Sequence, residues 1–151
     1  MIQRLQSVFL LLAAAMMALL FAKPLSFLAI DQVPESGREG MLADGLFEIQ
    51  DHTLLAVMTG IIIVLTVAAI FLYKNRVLQI KIGWATVVLI IITCITSVIF
   101  FWQAYQGLAG PAQVNIKLGY AMPVLAIIFL ILAIQYIGKD EKLVRSADRL
   151  R

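Results

Sequence analysis

Four long apolar runs, separated by short polar stretches, set the outline of the chain. The first covers about residues 5–22, with an apolar continuation towards Ile30. The others cover 53–73, 83–105 and 118–137, and none of these three contains Asp, Glu, Lys, Arg or His. A helix that crosses the hydrocarbon layer of a bilayer needs about 20 residues at 1.5 Å each. Each run meets that length. Open sheets cannot span, because lipid offers no partner for exposed backbone groups. A barrel would show short alternating segments rather than solid apolar runs. The pattern predicts an all-α bundle of four transmembrane helices in one membrane domain.

The first run carries Arg4 in front of it, as a signal peptide would. It is longer than a usual apolar signal region, and Phe21-Ala22-Lys23-Pro24 lacks a small-x-small cleavage site. A retained helix is expected, ending near Ala22 or, kinked at Pro24, continuing to Ile30.

Between the runs, residues 31–52 form the longer loop. Pro34, Gly37, Gly40 and Asp44-Gly45 mark turns there. A hairpin around Asp44-Gly45, with Leu46-Phe47-Glu48-Ile49 as one arm, is the alternative to a plain loop. The connection after the third run, with Gly107, Gly110 and Pro111, reads as a simple connector. The tail, 138–151, has helical spacing, with Leu143, Ala147 and Leu150 on one face. Glu141 and Arg145 stand four apart in the favourable order. The tail is thus an amphipathic helix that lies on the membrane surface or docks a partner.

Charge gives the orientation. Arg4, the 74–82 loop (Lys74, Arg76, Lys81) and the tail (Lys139, Lys142, Arg145, Arg149, Arg151) place nine basic residues on one side, against Lys23, Arg38 and Lys117 on the other. The side richer in Lys and Arg is cytoplasmic. Both ends are therefore expected to be cytoplasmic and the 31–52 loop outside. Trp84, Trp102, Tyr73, Tyr105, Tyr120 and Tyr136 fall at the ends of the runs, where amphipathic rings favour the interface.

Composition agrees. The 151 residues are 62% hydrophobic and 14% charged. Soluble domains are about 45–50% apolar and about 25% charged. Too much apolar side chain is present for a small core to hide. Association of such helices rests on close packing and polar contacts, since lipid is as apolar as leucine. Ala14, Ala18 and Ala22 make one small-residue face, and Ala56 and Gly60 another. Thr86, Thr93 and Ser97 share a face of the third helix, read as packing rather than a solute path. Pro123 falls in the first turn or so of the fourth helix, where a missing amide costs little.

Candidate chemistry is sparse. No carboxylate lies in the three charge-free runs, which disfavours a cation-coupled carrier. His52, the single histidine, sits at a boundary and has no second axial ligand for haem. Cys94, the single cysteine, lies inside an apolar run and has no partner for thiol exchange. No nucleophile–base constellation, phosphate loop, metal site or cofactor site is apparent. The acidic residues of the 31–52 loop are too scattered for a calcium loop. The tail is too short and too acid-tempered for nucleic acid.

Two stretches carry a resemblance. The start, from Met1-Ile2-Gln3-Arg4-Leu5-Gln6-Ser7 to Ala14, and the tail, Lys139-Asp140-Glu141-Lys142-Leu143-Val144-Arg145-Ser146-Ala147-Asp148-Arg149-Leu150-Arg151, resemble the ends of a small bacterial membrane-protein family, domain of unknown function 4293. The resemblance implies a bacterial inner (cytoplasmic) membrane location and supplies no activity. Gln3, Arg4, Gln6, Lys142, Arg145, Asp148, Arg149 and Arg151 are the candidate contacts with a partner or with the membrane surface. If the first and fourth helices are neighbours, the expectation is that Asp148 pairs with Arg4 or that Gln3 and Gln6 cap tail carbonyls. The leading expectation is a non-enzymatic small subunit or scaffold with the tail as docking surface. The alternative is a small transporter or lipid-handling protein working as a homo-oligomer.

Overall fold

The computed structural model describes residues 2–22, 25–31, 42–73, 75–108 and 113–148. It has four long helices: α1 (Ile2–Leu19), α2 (Thr53–Phe71), α3 (Arg76–Gln106) and α4 (Ala121–Asp148). Three short strands join them, β1 (Leu28–Asp31), β2 (Leu46–Phe47) and β3 (Gln113–Ile116). Helices α2 and α3, and the apolar stretch Leu118–Val144 that contains most of α4, are long and apolar enough to cross a membrane. Helix α1 is apolar and shorter. The chain runs up and down, and α1 packs on α2 and α4 while α3 packs on the same two, so the bundle is square.

The buried positions recur in steps of four and three on every helix. On α1 they are Gln6, Leu10, Ala13 and Met17, and Leu20 just past its end continues the series. On α2 they are Leu55, Thr59, Ile62, Thr66 and Ala69. On α3 the series Gln79, Gly83, Thr86, Ile90, Thr93, Ser97 repeats it, and on α4 Pro123, Ala126, Leu130, Ala133, Ile137. A seam with a mean step of 3.5 is the pattern of left-handed bundles, with helices crossing at about 20°. Small and hydroxyl side chains occupy much of it, which lets backbones approach closely. Gly83 shows this: a Cβ there would lie 2.8 Å from Ile134 Cγ1.

Several expected boundaries move. Helix α1 does not continue to Ile30. Its last turn loosens, the N–H groups of Leu20, Phe21 and Ala22 bonding three residues back, and residues 28–31 become a strand. This unwinding precedes Pro24, whose ring disfavours helical backbone before it. Helix α3 starts at Arg76 rather than 83, because the Asn75 side chain accepts from the Leu78 N–H and caps it. The 138–151 tail is not a separate helix. Helix α4 runs without a break through Gly138 to Asp148.

The small-residue faces are corrected too. Ala14 is buried, but Ala18 and Ala22 are exposed, so Ala13 and Ala14 line the seam instead. Ala56 and Gly60 are half-buried, and the seam passes through Leu55 and Thr59 beside them.

The connection after α3 is no plain connector. Its residues form β3, which pairs antiparallel with β1, while β2 pairs with β1 on the other side. The sheet order is β2-β1-β3. The turn at Asp44-Gly45 forms, with Gly45 at φ 73° and the Asp44 carboxylate accepting from the Leu46 N–H. Its arm Leu46–Phe47 pairs with β1. Beneath the sheet lies an aromatic cluster. Phe27 packs on Tyr120 (4.8 Å between centroids) and Phe47, and Phe47 meets Phe101 edge-on (5.6 Å). Burying each such ring contributes about 1.5–3 kcal/mol where the alternative is water.

Candidate functional site

The end of the bundle opposite the sheet holds the start of α1, the α2–α3 turn and the far end of α4. Asn75 caps α3 and so sets Arg76 at its first turn, facing α4. The Arg76 guanidinium takes two acceptors from one residue. Nη2 lies 3.0 Å from Asp140 Oδ2, and Nη1 donates to the Asp140 carbonyl at 3.0 Å. The two side chains are only 24% and 18% exposed, so water screens the pair weakly. Buried Gln79, one turn on, donates from Nε2 to the Ala69 carbonyl at 2.9 Å. That carbonyl, in the last turn of α2, also accepts from the Leu72 N–H at 3.3 Å. On the other flank Phe9 of α1 stacks between Phe129 and Tyr136 of α4. Lys139 Nζ lies 5.6 Å from the centre of the Tyr136 ring, a cation–π distance.

Beyond this collar the described side chains of α4 are mostly exposed. Lys142, Leu143, Val144 and Ser146 are exposed, Leu143 at 58%. The Ser146 hydroxyl donates to the Leu143 carbonyl, 2.8 Å, so it is used within the helix. Arg76 neutralises Asp140, which leaves Lys139 and Lys142 as cationic neighbours of the apolar Leu143–Val144 pair. This is chemistry for contact, an apolar pair with a basic rim.

The other sequence candidates divide. Gln6 is 5% exposed and belongs to the α1 seam, so it is a packing residue and not a surface contact. Its Nε2 finds no hydrogen-bond partner among the described residues. Gln3, Arg4, Arg145 and Asp148 lie on described helix backbone, but their side chains lie outside the described parts, as do Arg149 and Arg151 altogether. Helices α1 and α4 are neighbours, as the proposed Arg4–Asp148 pair requires. The pair itself lies outside the described side chains.

Sequence reasoning missed Arg76, Asp140 and Gln79. A lone Arg in a short polar stretch gives no sign of its partner 64 residues away.

The sheet end carries the remaining polar chemistry. His52 is the N-cap of α2: its Nδ1 accepts from the Leu54 N–H at 3.2 Å, and its ring stacks on Phe100 at 3.8 Å. Histidine is an uncommon cap, so nothing in the sequence marked it. The Asp51 carboxylate accepts from the Glu48 N–H. Its pKa is raised, first by desolvation and also by Asp44, against the lowering effect of that hydrogen bond. The sign makes ionised Asp51 a cost to folding once the pH rises through the shifted value. Inside the bundle, the hydroxyls of Thr66, Thr86 and Thr93 donate to the carbonyls four residues back. Ser97 bonds to the Cys94 carbonyl and to the Tyr120 hydroxyl, 3.2 Å. The stripe on α3 is thus satisfied within the bundle, as packing residues are.

The family described as Domain of unknown function (DUF4293) matches residues 2–150, and the chain belongs to it. No curated protein and no solved structure matches the chain.

Proposed function

Starting from a chain of the DUF4293 family, we propose that it is a non-enzymatic subunit or scaffold of the bacterial inner membrane that docks a protein partner on the projecting end of α4. One observation carries the reading: α4 continues as one helix past the Arg76–Asp140 clamp, with Leu143 and Val144 exposed on it. With residues 121–137 in hydrocarbon, 138–148 extend roughly 16 Å further at 1.5 Å per residue. A helix that rests on the membrane surface must turn away from the spanning axis, which needs a break. Helix α4 has none at Gly138, so its exposed apolar pair continues along the spanning axis instead of lying along the membrane surface. Docking of an apolar helix face into a groove is a common recognition mode. A partner with an apolar groove and an acidic margin fits the basic rim. The excess of Lys and Arg at this end makes it the cytoplasmic one. The alternative, a small transporter, draws less support, because the hydroxyl stripe on α3 is spent on bonds within the bundle.

The test is purification at native level in mild detergent, after cross-linking in the membrane, with mass spectrometry of what accompanies the chain. A protein at fixed stoichiometry, lost on Leu143→Lys and on deletion of 139–151 while the chain stays abundant, is the expected result. Recovery of this chain alone with a defined lipid or solute overturns the reading.

A further inference from the structure

Among the described residues the sheet ends in an open edge. Strand β1 is paired on both sides and β3 on one. The Lys117 N–H donates to the Phe27 carbonyl at 3.0 Å, and Ala29 stands opposite Asn115. In an antiparallel ladder, backbone groups of successive residues point to opposite sides. Lys117, Asn115 and Gln113 therefore direct theirs at β1, and Ile116 and Val114 direct theirs outward. Natural edges are guarded by charge, proline, a bulge or a covering element. Residues 113–116 have no charge and no proline, and all four are exposed. Ile116 is 78% exposed, more than any other large hydrophobic residue described, and Leu118 follows at 68%. Lipid accounts for exposed apolar residues on the spanning helices. It does not account for an open backbone edge.

We propose that β3 pairs antiparallel with β3 of a second copy of this chain, about a twofold axis at Asn115, giving a six-stranded sheet β2-β1-β3-β3-β1-β2. The strand is self-complementary in this register. Val114 meets Ile116 of the other copy, and both residues have outward backbone groups, so four N–H···O=C bonds form across the axis. The same pairs join apolar side chains, the unit that stabilises antiparallel sheets. Lys117, the cation nearest the edge among the described residues, comes to face Gln113 of the second copy and stays roughly 13 Å from its own counterpart, at about 3.3 Å per residue. Such an isologous contact closes on itself as a dimer. It lies at the end of the bundle away from the α4 tail, so it is independent of the docking reading.

Disulfide trapping in native membranes tests it, in full-length protein with Cys94→Ala. Asn115→Cys places its Cβ about 4.5–5.5 Å from its counterpart across the axis, within reach of a disulfide. Oxidation should give a band at twice the chain mass for Asn115→Cys, and at least ten times less for Gln113→Cys. Adding Ile116→Pro should abolish the band, since proline removes an outward N–H and leaves the β1 ladder intact. An unchanged melting temperature confirms that this variant is folded. Equal trapping at 113 and 115, no trapping at 115, or trapping that survives Ile116→Pro overturns the proposal. So does strong quenching of Ile116→Trp by brominated lipid, which would give the edge to the bilayer.

Discussion

At the scale of single residues, Gly119 holds the sheet to the bundle. Its N–H donates to the Ser26 carbonyl, 3.0 Å, and a Cβ there would collide with the backbone of Ser26 and Phe27. Backbone cannot swing aside as the end of a side chain can. Gly119→Ala should therefore cost about 1–3 kcal/mol, the range for overpacked sites, read as a lower melting temperature in detergent. Gly60→Ala is the control. Nothing lies within 4 Å of a Cβ at Gly60, and it sits within α2. Alanine is the better helix former by about 1 kcal/mol, so this variant should melt at the same temperature or higher. None of this was legible beforehand, since both glycines stand in apolar surroundings in the sequence.

At the scale of elements, the clamp between α3 and α4 is the polar contact with most to lose. The pair is charged, shares two hydrogen bonds and is mostly screened from water. Hydrogen bonds to charged groups contribute about 1.5–3 kcal/mol. A double-mutant cycle of Arg76→Ala and Asp140→Ala should give a coupling of about 1–2 kcal/mol in thermal or denaturant unfolding. Additivity of the two would show that the clamp contributes nothing. The lengths of elements were partly legible. Apolar runs located all four helices but missed how far α3 and α4 extend, because hydropathy ends at the first charge and a helix need not. The Asn75 cap and the unbroken passage through Gly138 decide those ends. The sequence reads β3 as connector, because four residues carry little strand signal without their partner, and puts Leu118-Gly119 at the start of the fourth apolar run.

At the scale of the whole molecule, the square bundle puts the sheet at one end and the start of α1, the α2–α3 turn and the α4 tail at the other. The distribution of Lys and Arg then predicts a fixed orientation. In protein with Cys94→Ala, a membrane-impermeant maleimide applied to intact cells should label Ile116→Cys and spare Lys142→Cys. Opening the cells should expose both. Reversed labelling would overturn the orientation and, with it, a cytoplasmic partner for the tail.

The sequence by itself determined that this chain is built of four apolar helices, three of which prove long and apolar enough for a membrane, and which family it belongs to. Those properties are carried by runs of about 20 residues and by the polar ends, and need no knowledge of neighbours. The tertiary structure alone decided which face of each helix is inside. In lipid both faces are apolar, so hydropathy has no contrast along the helix circumference, and the Ala14-Ala18-Ala22 face misled for that reason. Small and hydroxyl side chains at Ala13, Thr59, Thr66, Thr86 and Thr93 sit in the core beside large ones such as Leu10 and Ile62, while Ala15, Ala18 and Ala85 are exposed, and only packing shows which residues meet. The same holds for Arg76 with Asp140 and for β1 with β3. Each is a contact between segments far apart in the chain, whose partners no local pattern names.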